Sequence, residues 1–175
     1  MNRAYILGLV LFVSCTGRDP NEPIQSAAQD ERLIRDMIVS LNAALAKAYN
    51  GGGVNTDSLM DAYYEKNICY VTPWGWSEPL DSTKARLRNA KHHIRDFDNR
   101  IENLEVKVYG DGAYAGFILR QTYTVDGRLL EEYLPTTLVF ERRGKGWKIV
   151  RVHRSTDYET FQQWVALQKG EEASK

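Results

Sequence analysis

Three side chains in the second half of the chain, Arg120, Glu132 and His153, have the chemistry to bind an anion or to move a proton. Arginine binds carboxylates through paired hydrogen bonds, and a buried arginine needs a partner. Histidine changes charge near neutral pH, and a carboxylate in a partly apolar pocket can act as a general base. Three alternatives follow: a structural Arg-Glu-His network, a ligand site without chemistry, or a catalytic site that uses His153 and Glu132.

The strand that carries His153 is predicted from the alternating segment 146–155. Successive side chains of a strand point to opposite faces, so Trp147, Ile149, Arg151 and His153 share one face. An apolar start and a polar end on one face indicate a strand that runs from a packed core into the mouth of a pocket. We therefore predict that Arg151 lines the pocket beside His153.

The same alternation assigns faces on two further strands. Arg120 shares its face with Thr122, which makes Thr122 a further candidate ligand contact. On the next strand Glu132 lies on one face and Glu131 on the other. A one-residue bulge would exchange the two, so the sequence leaves open which glutamate faces the pocket; Glu132 is the catalytic candidate on the simple alternation.

Three aromatic residues in the middle of the chain are candidate ligand contacts. Tyr70 lies in a short strand predicted over residues 67–71, and Trp74 and Trp76 lie on a loop that contains two prolines and a glycine. Two tryptophans on a loop are costly to leave in water. The pair therefore either caps the core or forms the lip of a ligand site, and the sequence favours neither.

The overall composition excludes several classes of function. A formal net charge of +0 gives no global attraction to nucleic acid or to an anionic membrane surface. The basic helix predicted up to Arg95 lacks interleaved aromatic residues, so we interpret its charges as a solvated face. The three histidines and two cysteines do not have metal-ligand spacing. We predict no metal site, no cofactor and no nucleic-acid partner.

The first 15 residues are typical of a processing signal. Arg3 precedes an apolar run over residues 4–13, which is shorter than the roughly 20 residues a membrane-spanning helix needs. Cys15 follows this run in a sequence that resembles a bacterial lipobox, so we expect its lipidation and an anchor in the cell envelope. A plain secretory signal, with a secreted or periplasmic protein, is the alternative. Residues 16–29 are predicted to be a flexible tether.

The rest of the chain predicts an α+β domain over residues 30–168, followed by a disordered tail over residues 169–175. Apolar residues at helical spacing, and turn residues between alternating segments, define the elements. The predicted helices cover residues 30–49, 56–64, 81–95 and a segment that starts at 156 or 157. The predicted strands cover residues 67–71, 101–109 with an irregularity near 103, 113–125, 129–142 and 147–155. Residues 126–127, Asp-Gly, form the signal of a two-residue hairpin.

This pattern resembles the SnoaL-like branch of the nuclear transport factor 2-like superfamily, and it is similar to the association domain of calcium/calmodulin-dependent protein kinase and its bacterial relatives. The resemblance rests on residues 120–127, 140–143, 146–150 and 152–155, and it extends over about residues 30–155. It implies a cone-shaped, cystatin-like α+β barrel, with a curved antiparallel sheet wrapped around N-terminal helices. It also implies a pocket arginine at Arg120 that can bind a small carboxylate. A second arginine of such pockets is replaced here by Leu138.

The sequence thus predicts an envelope-anchored domain that binds a small molecule, possibly a carboxylate, and leaves open whether it is an enzyme. One alternative is an isomerase-like or dehydratase-like enzyme with a Glu-His-Arg pocket. Another is an oligomerisation module with a vestigial pocket. The resemblance further implies a homodimer through the outer face of the sheet, for which Phe117, Leu119, Val150 and Val152 are the predicted contacts.

Overall fold

The computed structural model describes residues 26–172. Cys15, the predicted signal and nearly all of the predicted tether lie outside these residues. The elements are, in chain order, α1 Ala27–Tyr49, α2 Thr56–Tyr63, β1 Tyr64–Val71, β2 Ser77–Glu78, α3 Leu80–His93, β3 Ile94–Tyr109, β4 Gly112–Val125, β5 Arg128–Arg143, β6 Gly146–Arg154 and α4 Tyr158–Glu172. Helices come first, then long strands, and the predicted α+β class is confirmed.

The six strands form one curved open sheet in the order β2-β1-β6-β5-β4-β3. Strands β3 to β6 are a meander in which each strand pairs antiparallel with the next, as predicted. Strand β1 adds to the other side of β6 in parallel orientation, which the sequence pattern did not reveal. This parallel neighbour brings Tyr70 opposite Val152 and places the loop after β1 beside the end of β6.

Several element boundaries differ from the prediction. Helix α1 starts three residues earlier than expected, because the Ser26 side chain caps it by accepting a hydrogen bond from the Gln29 amide at 3.2 Å. Helix α3 starts directly after Pro79 without a side-chain cap. Strand β3 starts at Ile94, seven residues before the predicted strand, and α4 continues past residue 168 to Glu172.

Two irregular features that the sequence predicts are confirmed. Asp126 and Gly127 have φ values of 51° and 76°, and they join Val125 and Arg128 in a tight hairpin. The register of β3 shifts between Glu102 and Glu105, and Asn103 in this interval has a φ of 55°. Positive φ suits glycine and, among other residues, asparagine and aspartate.

A β-bulge in β6 decides which side chains reach the core. Ile149 pairs with Phe140 and Arg151 pairs with Val139, so Val150 has no partner on β5. An extra residue in a strand exchanges the two faces beyond it. Val152 is therefore fully buried, whereas Arg151 is exposed.

The core lies between the sheet and helices α1 to α3. Helix α1 contributes a buried stripe at helical spacing, and its backbone and side chains are tied to β3 by hydrogen bonds. Arg35 Nη1 donates to the Leu104 carbonyl at 2.8 Å, and Asn99 Nδ2 donates to the Asn42 carbonyl at 2.9 Å. Asn50, directly after α1, donates to the Phe97 carbonyl and accepts from the Phe97 amide near the start of the same strand. These contacts fix α1 along the length of the sheet.

Helix α4 covers the edge of β5 that β6 leaves unpaired. Pairing of β5 with β6 ends at Thr136, so the preceding part of β5 needs other partners on this edge. The Tyr133 amide donates to Thr160 Oγ1 at 3.2 Å, and the Glu131 amide donates to Gln163 Oε1 at 3.2 Å. The helix therefore lies next to the site described below.

No helix within residues 26–172 is both long enough and apolar enough to cross a membrane.

Candidate functional site

A cavity of about 190 Å³ lies between the inner face of the sheet, helices α1 to α4 and the loop after β1. The cavity forms because the long strands extend beyond the part of the sheet against which the helices pack closely. Aromatic and aliphatic side chains make up most of its wall, and a few polar and charged groups converge on it. The lining residues are Leu45, Tyr49, Met60, Tyr64, Tyr70, Pro73, Trp74, Thr83, Arg86, Leu87, Ala90, Ile94, Phe97, Gln121, Tyr123, Glu132, Leu134, Arg154 and Trp164.

Glu132 is the carboxylate of this cavity. Alternation along β5 places it on the inner face between the buried side chains of Leu130 and Leu134. Its Oε1 accepts a hydrogen bond from Trp164 Nε1 at 2.8 Å, and the Tyr123 side chain interacts with the same carboxylate. Burial raises the pKa of Glu132, although these two contacts act in the opposite direction. Of the two adjacent glutamates, Glu132 therefore faces the cavity, whereas Glu131 is exposed.

Two arginines reach the cavity from different elements. Arg86 comes from α3 and Arg154 from the end of β6, and their guanidinium carbons lie 5.5 Å and 5.8 Å from the centre of the Tyr70 ring. Arg86 also donates two hydrogen bonds to Glu78 Oε1, from Nε at 3.2 Å and from Nη2 at 2.7 Å. In contrast, Nε of Arg154 is buried and has no hydrogen-bond partner.

Aromatic rings close the cavity around these charged groups. Trp74, on the loop after β1, packs edge-on against Trp164 of α4 with ring centroids 5.6 Å apart. Phe97 stacks on Tyr123 at 5.8 Å and contacts Tyr49 at 4.7 Å. Burial raises the pKa of Tyr49 to about 12, so its hydroxyl is a neutral hydrogen-bond donor over the physiological pH range.

The predicted orientations of His153 and Arg151 are wrong. Both side chains are exposed and absent from the cavity lining, because the bulge at Val150 turns them to the outer face. The same bulge places Arg154 inside, where the simple alternation had placed it outside. His153, Arg120 and Glu132 therefore do not form one cluster.

Arg120 and Thr122 also lie outside the cavity. The register pairs Arg120 with Tyr133, and its guanidinium carbon lies 4.9 Å from the centre of the Tyr133 ring. Its Nε donates to Glu102 Oε2 at 3.0 Å. The buried inner positions of β4 belong instead to apolar side chains of the other parity, including Leu119. Arg120 is therefore part of a surface ion pair.

Only some of the aromatic candidates line the cavity, and several of the predicted dimer contacts do not lie on the outer face of the sheet. Tyr70 is buried and, with Trp74, lines the cavity, whereas the Trp76 side chain is 55% exposed and does not. The predicted outer positions of Phe117, Leu119 and Val152 are wrong, since all three are buried in the core.

Sequence reasoning missed both cavity arginines. Arg86 was interpreted as part of a solvated face, although its helical spacing from Thr83 and Ala90 places it on the same side as these cavity residues. That spacing was a usable signal. Arg154 had none, because the bulge that turns it inward has no sequence signature.

Within residues 26–172 no group of three or more histidine, cysteine, aspartate or glutamate side chains is arranged to bind a metal ion. The polar groups of the cavity can form hydrogen bonds to an organic ligand. They offer a carboxyl group, guanidinium and phenol donors, and an amide from Gln121.

Comparison with known proteins agrees with this architecture. The sequence profile of the SnoaL-like domain matches residues 38–159. A nuclear transport factor 2-like superfamily protein from Salmonella enterica superposes with a TM-score of 0.65 at 16% identity, over 75% of this chain and 93% of that one. No curated protein has significant sequence similarity to the chain.

Two further solved structures extend the comparison. A nuclear transport factor 2-like protein with a cystatin-like fold from Novosphingobium aromaticivorans has a TM-score of 0.59 at 16% identity, over 74% of this chain and 82% of that one. The calcium/calmodulin-dependent kinase II hub of S. rosetta has a TM-score of 0.55 at 20% identity, over 70% of this chain and 95% of that one. The likeness predicted from the sequence is confirmed for family and fold.

Proposed function

Since the chain belongs to the SnoaL-like family, we propose that its domain binds a small organic molecule in the cavity between sheet and helices. The observation that supports this proposal is the cavity itself, which has a mostly apolar wall of aromatic and aliphatic side chains on which a few polar groups converge. A site of this kind is typical of small-molecule binding, because the apolar wall provides affinity and the polar groups fix orientation. Fold alone would not support the proposal, since one fold can carry many functions.

The test is a thermal-shift screen of the full chain with small aromatic and aliphatic compounds, using one variant that fills the cavity and one matched control. Ala90 lines the cavity and Ala85, on the same helix, is exposed. Ala90→Leu should abolish the ligand-induced rise in Tm, whereas Ala85→Leu should leave it unchanged. If a compound stabilises both variants equally, it binds outside the cavity. If no compound stabilises the wild-type protein, the proposed binding function is contradicted.

A second candidate function is proton transfer by Glu132. The observation that favours it is a largely buried carboxyl group at the cavity wall, whose pKa is raised by burial. A carboxyl group with a raised pKa can act as a general base or acid near neutral pH. Glu132 would take a proton from a carbon next to a carbonyl group. In an isomerisation it would return this proton to another carbon of the substrate, and in a dehydration it would pass the proton to the β-hydroxyl group, which leaves as water.

Exchange of deuterium from the solvent into the methyl group of a simple ketone tests this candidate function without knowledge of the natural substrate. Acetophenone in deuterium oxide should lose its methyl proton signal in NMR faster with the wild-type protein than with Glu132→Gln. Glu131→Gln is the matched control, since Glu131 is the exposed neighbour. Exchange by the wild-type protein at the rate of buffer alone would exclude this activity.

We also propose that Cys15 is lipidated and anchors the domain in a bacterial cell envelope. The support is the order of features in the sequence: a positive residue, a short apolar run and a cysteine in a context like a lipobox. Cys15→Ser should move the protein from the membrane fraction to the soluble fraction. Unchanged fractionation of this variant would refute the anchor.

A homodimer through the outer face of the sheet is the proposed assembly. This face carries half-buried side chains such as Ile118, Tyr133 and Val139, which a partner subunit would cover. Ile118→Glu should lower the mass in sedimentation equilibrium from that of a dimer to that of a monomer. A wild-type protein that is monomeric at micromolar concentration would contradict the assembly.

A further inference from the structure

Helix α4 is the wall of the cavity that is least connected to the main core. The apolar side chains of that core come from α1, α2, α3 and the sheet, and none of those in the described part of the chain comes from α4. Trp164 of α4 packs against a second, smaller cluster and is itself only partly buried there. Because most of the stability of a helix in a protein comes from the packing of its apolar face, α4 should leave the sheet more readily than the other helices.

The walls formed by α1 and α3 are fixed more firmly. Leu80 and Leu87 of α3 are buried in the main core. At the end of α1 the Asn50 side chain donates to the Phe97 carbonyl at 2.7 Å and accepts from the Phe97 amide at 2.9 Å. Movement of either helix would therefore break core packing or hydrogen bonds to the backbone of the sheet.

The contacts that hold α4 against the sheet come from one face of the helix. Thr160, Gln163 and Trp164 are three or four residues apart or adjacent, so they lie on the same side. Thr160 and Gln163 accept hydrogen bonds from the edge of β5, and Trp164 Nε1 donates to Glu132. The Trp164 ring also packs edge-on against Trp74. Trp164 thus connects α4 both to the sheet and to the loop after β1.

Residues 155–157, between β6 and α4, have the features of a hinge. The Ser155 amide donates to the Pro135 carbonyl at 3.0 Å, which fixes the sheet side of this segment. On the other side, Asp157 Oδ1 accepts from the Thr160 amide at 2.8 Å and caps the first turn of α4. Rotation of the backbone between these two contacts would move α4 as one body. Hinges of lids are commonly a few residues at the ends of elements.

The closed position leaves polar atoms at this hinge unsatisfied. Thr156 Oγ1 and Arg154 Nε are buried, and in the described structure neither has a hydrogen-bond partner. A buried polar atom without a partner is unfavourable, and water would satisfy it once the segment is exposed. Movement of α4 would expose this segment, so these two atoms reduce the free-energy difference between the closed and the open position.

We infer that α4 is a lid of the cavity, which Trp164 holds closed and which moves about residues 155–157 to admit and release the ligand. This inference rests on the proposed binding function and adds the route by which the ligand reaches the site. Closure brings Trp164 to Glu132 and Trp74, so the lid completes the wall of the cavity when it shuts. Lids of this kind commonly move on the microsecond to millisecond timescale.

The test measures how fast iodoacetamide reaches a thiol inside the cavity of the full chain. Leu134→Cys places this thiol on β5, where Leu134 lines the cavity and is 2% exposed. Leu138→Cys is the matched control, since Leu138 lies on the same face, is 3% exposed and belongs to the main core away from the cavity. The thiol at position 134 should react at least tenfold faster, because it needs only the opening of α4. Peptide mass spectrometry separates both sites from Cys15 and Cys69.

Two indole variants then test the role of Trp164. Trp164→Phe removes the hydrogen bond to Glu132 and should raise the labelling rate at position 134 roughly twofold to tenfold, the range expected for one hydrogen bond. Trp147→Phe is the matched control, because it removes the hydrogen bond from an indole to Asp30, which lies away from α4. It should leave the labelling rate at position 134 unchanged.

The outcomes separate this inference from the proposed function. If positions 134 and 138 react equally slowly, α4 does not open and the lid is wrong. If position 134 reacts fast but Trp164→Phe has no effect, the cavity is reached by another route, for example beside the half-exposed Arg86, and the lid is again wrong. Neither result bears on ligand binding, which the thermal-shift screen decides independently.

Hydrogen exchange provides a second measurement if Leu134→Cys does not fold. In the wild-type protein the backbone amides of α4 should exchange faster than those of α1, and Trp164→Phe should accelerate the exchange of α4 roughly twofold to tenfold. Exchange of α4 that is as slow as that of α1, or that does not respond to Trp164→Phe, would overturn the lid.

Discussion

The carboxyl group of Asp30 is buried and that of Glu132 is largely buried, and each accepts a hydrogen bond from an indole. Asp30 accepts from Trp147 Nε1 at 3.1 Å, and Glu132 accepts from Trp164 Nε1 at 2.8 Å. The two sites differ in their positive charge. Arg142 binds both oxygens of Asp30, at 2.5 Å and 3.2 Å, whereas Glu132 has no such partner in the described structure.

The sheet explains this difference. Beside the β5–β6 hairpin both strands are fully paired, and Arg142 is held between Asp30, Asp111 and the Trp147 ring, 4.4 Å from the ring centre. At the other end β6 stops at Arg154 while β5 continues, so α4 and a cavity take the place of a neighbouring strand. Complete compensation is typical of a structural network, and incomplete compensation marks a site where a ligand can supply the missing group.

The largest expected effect is the loss of the structural carboxylate. Asp30→Asn should lower the free energy of unfolding by about 3 to 5 kcal/mol, because it leaves the largely buried Arg142 without its main partner. Asp111→Asn removes the other partner of Arg142, but Asp111 is 73% exposed, so this control should cost less than about 1 kcal/mol. Urea unfolding at pH 7 measures both. Equal losses would show that the buried pair has no special role.

The two indoles allow a second comparison. Trp147→Phe should cost roughly 1.5 to 3 kcal/mol, since it removes a hydrogen bond to a charged group. Trp164→Phe should cost about 1 kcal/mol or less, because Glu132 can take up a proton when its donor is lost. The same urea experiment ranks the two variants. A larger loss in the free energy of unfolding for Trp164→Phe than for Trp147→Phe would mean that the Glu132 site, and not the Asp30 site, is the structural network.

The sequence predicted the fold because its main signals are local. Apolar spacing in α1 and the Asp126-Gly127 turn depend on neighbouring residues, and both are confirmed. The parallel pairing of β1 with β6 is not local, since it joins segments about 80 residues apart in the chain. Sequence pattern alone therefore could not place Tyr70 beside the end of β6.

The cavity was predicted only in part, for a related reason. Glu132, Tyr70 and Trp74 line the cavity and are candidates from strand alternation and loop composition, but these signals leave open whether Glu131 or Glu132 faces it and whether Trp74 caps the core. His153 and Arg154 were exchanged, because a single unpaired residue in β6 reverses the faces beyond it. A bulge depends on how two strands pair, so its position is a tertiary property.

The titration of Glu132 gives a third test of the comparison. Because burial raises the pKa of Glu132 in the folded state, folding favours its protonated form. The stability that this group contributes is therefore lost as the pH rises above 4.5, the ordinary pKa of a glutamate. The free energy of unfolding of wild type relative to Glu132→Gln should therefore fall between pH 4 and pH 8. Glu131→Gln is the control and should show no comparable trend. A relative stability that increases with pH would mean that the folded protein prefers the charged form.

The smallest expected effect concerns His153, the residue that sequence alternation placed in the pocket. Its side chain is exposed on the outer face, so His153→Gln should change the free energy of unfolding by less than about 0.5 kcal/mol. The ligand-induced rise in Tm in the thermal-shift screen should equal that of the wild-type protein, because the His153 side chain does not line the cavity. Arg154→Gln is the contrasting variant and should change this rise, since Arg154 is the next residue in sequence and lines the cavity. If His153→Gln abolished the rise, the bulge at Val150 would not set the faces of this strand in solution.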